Sequence, residues 1–303
     1  MQKFLQQIII SNLLRKQGFC DNAMALEKPI SELIQFSLIN LDKPAGPTSF
    51  QVSQFVKYAL KISKTSHMGT LDPQVTGVLP ITLGRACKLS DYFMHKDKKY
   101  VGIMRVHEDI SLEKLKKEMS AFTGKITQLP PVRSRVKRDF REREVKQFEI
   151  LEKQGKDVLF IANVEAGTYI RKICSDLGEK IGGAHMLELR RVKASIFTEN
   201  DDNFVNLYDF EKAAKEYLEG NELPLREILV PAEQAIKKVL PTTQLSEKAN
   251  LKQILTGKPL FKTDIDSIPQ EETFALFQDD KFLGIYHKVD EGDIIAKAEF
   301  VFN

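Results

Sequence analysis

Residues 144–164, EVKQFEILEKQGKDVLFIANV, decide the fold class. Residues 144–151 alternate towards Phe148 and Ile150, and residues 158–164 form a nearly continuous apolar run. Period-two alternation marks a half-buried strand, and Gln154-Gly155-Lys156-Asp157 supplies the turn between the two runs. After Thr168 the period becomes helical, with Ile170, Ile173, Cys174, Leu177 and Ile181 on one side. Towards the N-terminus, FSLINL at 36–41 reads as a buried strand ending in the turn Lys43-Pro44-Ala45-Gly46-Pro47. Thr48 or Ser49 can then cap a helix presenting Val52, Phe55, Val56, Ala59 and Leu60 on one face. Residues 65–77 are punctuated by Gly and Pro and read as an ordered loop, and Tyr100 begins an apolar strand. A helix follows Ser111 with Leu112, Leu115, Met119 and Phe122 facing inwards. Strand and helix mix without regular βαβ alternation, so the class is α+β.

Further along, Pro231 and Pro241 bracket a short helical piece, which puts a boundary near Val230-Pro231. Residues 246–256 read as a helix stopped by Gly257, and three strands follow at 273–278, 281–287 and 293–302. A small β-rich module therefore closes the chain. At the other end, MQKFLQQIIISNLLRKQ is interrupted by Gln6, Gln7, Ser11 and Asn12. It is too short for a spanning helix and too broken for a signal peptide, and is expected to pack as a short amphipathic helix.

The 303 residues carry 42% hydrophobic and 29% charged side chains, and 45 basic against 42 acidic residues leave only +3. That total does not announce a nucleic-acid binder, so an RNA surface must come from local clustering. Cys20, Cys87 and Cys174 are isolated, which supports neither a disulfide framework nor a zinc site and fits a reducing, intracellular setting. No phosphate loop, GxGxxG, HExxH or GxSxG is present.

Four segments can carry chemistry. In HMGTLDPQVTGVLP (67–80), Asp72 lies between Leu71 and Pro73 in a loop held by Gly69 and Gly77. A carboxylate among apolar neighbours needs a partner and can serve as nucleophile or general base, yet an Asp-Pro turn accounts for it equally. In GTYIRK (167–172), Arg171 can neutralise such a carboxylate or join a surface salt bridge. Tyr100 in KKY can stack on a base or sit in the core. In PPVRSRVKRDFR (130–141), Arg133, Arg135, Lys137, Arg138 and Arg141 can track phosphates or form a solvated strand edge, and Arg190-Arg191 adds a second basic spot.

Taken in order, LDKPAGPTS (41–49), HMGTLDPQVTGVLP, KKY, PPVRS, GTYIRK and HMLELRR resemble the motifs of the TruB family of pseudouridine synthases. The resemblance is dense over about residues 31–200, and the tail is similar to a PUA RNA-binding module. It implies a mixed, mainly antiparallel catalytic domain at 31–230, a PUA-like domain at 231–303, and an N-terminal extension at 1–30 packing on that domain. It makes Asp72 the nucleophile, Arg171 its ion-pair partner and Tyr100 the residue that stacks on the flipped uracil and takes part in proton transfer. It also implies substrate contacts from His67, Leu189, Lys43 and Tyr169, and RNA-backbone contacts from Arg133, Arg135, Lys137, Arg138, Arg190 and Arg191. No metal or cofactor is required. One departure stands out: Ser66 precedes His67, where the family has Gly.

About thirty residues separate Tyr100 from Pro130-Pro131, where bacterial tRNA-specific members carry a longer insertion. SELIQFSLINLDKPAGPTS also looks like the H/ACA, dyskerin-like branch, and the absence of a Lys-rich tail makes its archaeal form the closer resemblance. The implied setting is cytoplasmic. The implied partners are rRNA, tRNA, H/ACA guide RNA and small H/ACA proteins, with no DNA and no membrane. A stand-alone tRNA T-loop synthase and a non-catalytic RNA-binding scaffold are the competing readings.

Overall fold

A two-residue connection fixes the central hairpin. Gln154 pairs with Asp157, and Gly155 takes φ +58 at the first central position of the turn, where a glycine closes a tight hairpin. The computed structural model describes residues 28–130 and 137–303. The expected N-terminal helix, Cys20, Arg133 and Arg135 lie outside the described residues.

In chain order, α1 (Ile30–Gln35) leads into β1 (Ser37–Lys43), and α2 (Ser49–Ala59) precedes β2 (Thr65–His67) and β3 (Thr76–Leu83). A 3-10 turn and α3 (Ser90–Met94) connect to β4 (Lys98–Val106). Next come α4 (Leu112–Ser120), β5 (Gly124–Gln128), β6 (Arg141–Gln154) and β7 (Asp157–Val164). After α5 (Ile170–Ile181), β8 (Ala184–Ala194) is followed by β9 (Phe197–Thr198), β10 (Val205–Asn206), α6 (Leu207–Leu218), α7 (Leu223–Ile228) and β11 (Leu229–Pro231). The remainder holds α8 (Ala232–Lys237), β12 (Thr242–Gln244), α9 (Leu251–Leu255), β13 (Leu260–Phe261), β14 (Thr273–Gln278), β15 (Lys281–Glu291) and β16 (Ile294–Val301).

The strands form two sheets. The larger runs β10-β1-β3-β8-β4-β7-β6-β5, with β11 and β2 attached at β1 and β3 and β9 at β8. Its pairs are antiparallel except β1 with β10 and β3 with β8. The smaller runs β12-β14-β15-β16-β13 and is antiparallel apart from β12 with β14. This is the expected α+β class with mainly antiparallel sheets.

The inward faces of the hairpin (Val145, Phe148, Val158, Phe160) pack with Ile170, Ile173, Cys174 and Leu177 of α5, and Val52 and Val56 of α2 join the same cluster. A second cluster lies between the sheets: Phe36, Leu38, Val78 and Phe93 meet Phe277, Phe282 and Ile285, and the Phe36 and Phe302 rings are 4.1 Å apart. A third joins Ile254 of α9 to Phe274, Leu276 and Tyr286.

Local details differ from the sequence reading in instructive ways. Thr48 caps α2 through a capping box with Gln51, which leaves the Ser49 hydroxyl free to bind another segment. Leu112 is 38% exposed, because α4 presents only Leu115 and Met119 to the core from within the helix. The helix expected at 246–256 is confined to α9, since the Asn250 side chain accepts the Gln253 N–H and starts the helix there. β3 and β8, which no clean alternation marks in the sequence, occupy the middle of the large sheet.

Candidate active site

β2 and β3 pair antiparallel, and the loop from Met68 to Val75 joins them. Its backbone is fixed at almost every step. Met68 N–H donates to the Pro80 carbonyl at 2.9 Å, Gly46 N–H donates to the Pro73 carbonyl at 2.9 Å, and Val75 N–H donates to the Asp72 carbonyl at 3.0 Å. The buried Ser49 hydroxyl holds Leu71 from both sides, donating to its carbonyl at 3.0 Å and accepting its N–H at 2.8 Å. Leu71 and Val75 point into the core.

Lys43 is fully buried, and its ammonium donates to the carbonyls of Pro44, Pro73 and Val75, each at 2.9 Å. Burial, and then the charge of Arg191, push its pKa down from the ordinary lysine value. The expected substrate contact from Lys43 is therefore corrected: all three of its donors are committed to the loop backbone, and its role is to hold that loop.

On this clamped loop the Asp72 carboxylate stands out into solvent, 53% exposed, and forms an ion pair with Arg171, 55% exposed, near the start of α5. Helix α5 is aimed there by a reciprocal pair of bonds. Tyr169 N–H donates to Gln128 Oε1 at 3.0 Å, and Gln128 Nε2 donates to the Tyr169 carbonyl at 3.2 Å. Tyr169 is the N-cap residue of α5, and its side chain is half-buried. His67, at the end of β2, is 3.1 Å from the Thr70 hydroxyl through Nε2.

Tyr100 and Leu189 are 9% and 8% exposed and belong to the same apolar cluster as Leu71, Val75 and Ile170. Ser66 sits inside β2, opposite Thr82, and is not among the residues of positive φ, so no glycine is demanded there.

The two arginines of HMLELRR alternate across β8 and both turn inwards. Arg190 binds Asp42 with both Nη atoms, at 2.9 and 3.0 Å, and Glu199 with Nε at 2.8 Å. Arg191 is 1% exposed and donates to the carbonyls of Val78, at 2.7 Å, and Gly69, at 2.9 Å. Against the expected RNA-backbone contacts, Arg191 is buried and Arg190 is turned to Asp42 and Glu199 within the fold. Lys137 and Arg138 are exposed, and Lys137 pairs with Asp139 at 2.7 Å.

Beside Arg171 a groove of ≈ 540 Å³ is lined by Leu129, Pro130, Arg138, Phe140 and Lys172. Phe140 is 74% exposed and was not singled out in the sequence; an aromatic between arginines, in RDFR, was the available signal. Among the described residues no His, Cys, Asp or Glu cluster has the make-up of a metal site. Burial pushes the Cys174 thiol up to about 12 and also raises Cys87, which disfavours the thiolate at both.

The model for the N-terminal domain of TruB family pseudouridylate synthases matches residues 57–170, a span containing Asp72, Tyr100 and the groove's Phe140. The model for the tRNA pseudouridylate synthase B C-terminal domain matches residues 171–237, and the DKCLD (NUC011) domain matches 23–53. A probable tRNA pseudouridine synthase B of Methanosarcina barkeri is 40% identical over 275 residues, 88% of this chain and 80% of that protein. The chain belongs to the TruB family.

Other members include probable tRNA pseudouridine synthases B of Methanothermobacter thermautotrophicus and Methanopyrus kandleri, each 46% identical, over 69% and 74% of this chain. The chain spans about two thirds of the length of those two relatives, 65% and 66%. Among solved TruB-like structures, a chain of a Cbf5–Nop10–Gar1 complex aligns with TM-score 0.83 and 35% identity, over 95% of this chain and 90% of that one. A chain of an H/ACA RNP bound to substrate RNA containing 2′-deoxyuridine aligns with TM-score 0.81 and 32% identity, over 95% of this chain and 92% of that one.

Proposed function

We propose that the chain is an RNA pseudouridine synthase that isomerises uridine to pseudouridine with Asp72 as its nucleophile. The observation that carries the reading is the ion pair between Asp72 and Arg171 on a loop whose backbone is immobilised while its carboxylate stays accessible. An adjacent guanidinium favours the ionised, nucleophilic form of a carboxylate.

A uridine within folded RNA must first leave its stack, at a cost of a few kcal/mol. Stacking on an aromatic ring such as Tyr100 offsets roughly 1–3 kcal/mol of that. Asp72 then acts by one of two routes. It bonds to the sugar carbon C1′, or it takes a proton from C2′ to leave a glycal. In both, the C1′–N1 bond breaks and uracil leaves with the electron pair. The base rotates and C5 bonds to C1′ as the Asp72–C1′ bond breaks or, on the glycal route, as Asp72 returns the proton to C2′. The C5 proton is then lost and N1 is protonated, with Tyr100 taking part in proton transfer. His67, Leu189 and Tyr169 line the base's surroundings in this reading. The groove beside Arg171, with Arg138, Lys172 and Phe140, suits the flanking strand, and residues 231–303 serve as a PUA-like RNA-binding module.

The proposed setting is an H/ACA guide-RNA particle in the cytoplasm, with small partner proteins. The DKCLD match and the likeness to chains of H/ACA complexes support it. A stand-alone tRNA synthase is the second reading, favoured by the names of the sequence relatives. Pseudouridine is to be measured in tRNA and rRNA with and without guide RNA and partner proteins. Dependence on guides supports the particle. Modification of bare tRNA, indifferent to guides, replaces it with the stand-alone enzyme, and no pseudouridine in either arm removes the catalytic reading.

A further inference from the structure

We propose that Arg191 is a positioning residue that ties Tyr100 to the loop carrying Asp72, so that the stacking ring and the carboxylate are held as one unit. The inference rests on the pseudouridine synthase reading for its kinetic part only.

The sheet order creates the opportunity. β8 lies between β3, which receives the catalytic loop, and β4, which carries Tyr100. Arg191 is in register with Gly77 of β3 on one side and with Tyr100 of β4 on the other. Residues directly opposite on paired antiparallel strands share a face, so the Tyr100 and Arg191 side chains lie side by side, and the Tyr100 hydroxyl favours the charged form of that guanidinium. The remaining donors of that guanidinium reach both arms of the catalytic loop, at Gly69 before Asp72 and at Val78 beyond it. One rigid planar fork thus bonds the backbone on both sides of Asp72 while facing Tyr100.

Its surroundings argue against a role in stability alone. No carboxylate forms an ion pair with Arg191 among the described residues, and the neighbouring buried lysines, Lys43 and Lys98, both feel its charge. A buried cation without an acid is costly to hold within a fold. What an apolar side chain cannot do is donate to the Gly69 and Val78 carbonyls at set distances while facing Tyr100. The chain also approaches here more closely than a side chain permits: a Cβ on Gly77 would lie 2.2 Å from the Arg191 carbonyl.

The test uses the full chain labelled with ¹³Cζ-tyrosine. The resonance lost in Tyr100→Phe identifies Tyr100, and its position is then followed in Arg191→Met and Arg191→Lys. The proposal expects the Tyr100 resonance to move in Arg191→Met, with faster amide exchange across residues 69–75. On target RNA assembled with guide RNA and partner proteins, the single-turnover rate at saturation should fall about 100-fold, affinity should stay within a few-fold, and Arg191→Lys should recover part of the rate. An unmoved Tyr100 resonance in a folded variant overturns the proposal, as does a full saturating rate with weakened affinity. Should Arg191→Met fail to fold, Arg191→Lys carries the same resonance comparison, because a lysine cannot donate to both carbonyls in the fork's geometry. The resonance reports on the coupling whether or not the protein makes pseudouridine, so it fails separately from the functional reading, which Asp72→Asn tests.

Discussion

Asp72 and Arg171 form an ion pair although more than half of each side chain is exposed to solvent. An exposed pair contributes only ~0–1 kcal/mol to folding. Arg171→Ala should therefore leave the thermal midpoint almost unchanged while the single-turnover rate falls about 100-fold. Asp72→Asn should abolish product with RNA affinity kept within a few-fold. Stopped-assay pseudouridine mapping beside a melting curve checks both, and turnover by Asp72→Asn removes Asp72 from its role.

Lys43 behaves in the opposite way. Lys43→Met deprives three carbonyls of their common donor inside the fold. The buried Val75 carbonyl left alone costs roughly 1–3 kcal/mol, whereas the Pro44 and Pro73 carbonyls are part-exposed and Pro73 keeps the Gly46 N–H. A clear drop in urea midpoint is expected, with faster exchange of amides around Pro73 and Val75. A wild-type midpoint would show that water or a rearranged loop satisfies these carbonyls.

Lys98 makes stability depend on pH. Burial, and then the Arg191 charge, lower its pKa to about 8 from the ordinary lysine value of 10.5. Between these values the unfolded chain binds more protons at this residue than the folded one, so its contribution to stability rises with pH there. Below about pH 8 both states are protonated and the contribution is flat. The stability difference between wild type and Lys98→Met should grow in favour of wild type from pH 8 to 10, measured by denaturant unfolding. A constant difference contradicts the lowered value.

Gly77 has φ +101, and a methyl group there would collide with the Arg191 carbonyl. Left-handed backbone strain alone costs ~1–3 kcal/mol. Gly77→Ala should destabilise by at least that much and lower activity further through β3 and β8, which a paired measurement of midpoint and rate would reveal.

Arg138 and Phe140 separate charge from stacking in the groove. Arg138→Gln should reduce the slope of log affinity against log salt by about one. Phe140→Ala should weaken binding by roughly 1–3 kcal/mol with the slope unchanged. Equal slopes and affinities in both variants would return this groove to plain surface.

The hairpin, the capped helix α2 and the loop bearing Asp72 were legible because period, turn chemistry and motif order agree at each of them. Arg190, Arg191 and Lys43 were not. A basic residue in a sequence reads as surface, and only the assembled sheet reveals that Asp42, Glu199 and loop carbonyls await these cations. The strands β3 and β8 were missed for a related reason. Each carries its segment's motif, and β8 interleaves charge with apolar residues although both of its arginines face inwards. Ser66 was a visible departure whose harmlessness needed the pairing of β2 with β3.

The aromatic packing between the sheets has a geometric consequence. Phe36 stacks on Phe282 and meets Phe302, Tyr92 donates to Glu299 at 2.5 Å, and Arg85 lies 3.9 Å over the Phe302 ring. These contacts weld the C-terminal sheet to the strands that carry Lys43 and the Asp72 loop. Under the proposed function the molecule then works as a ruler: where the tail grips an RNA helix sets, through a rigid body, which nucleotide along that helix arrives at Asp72.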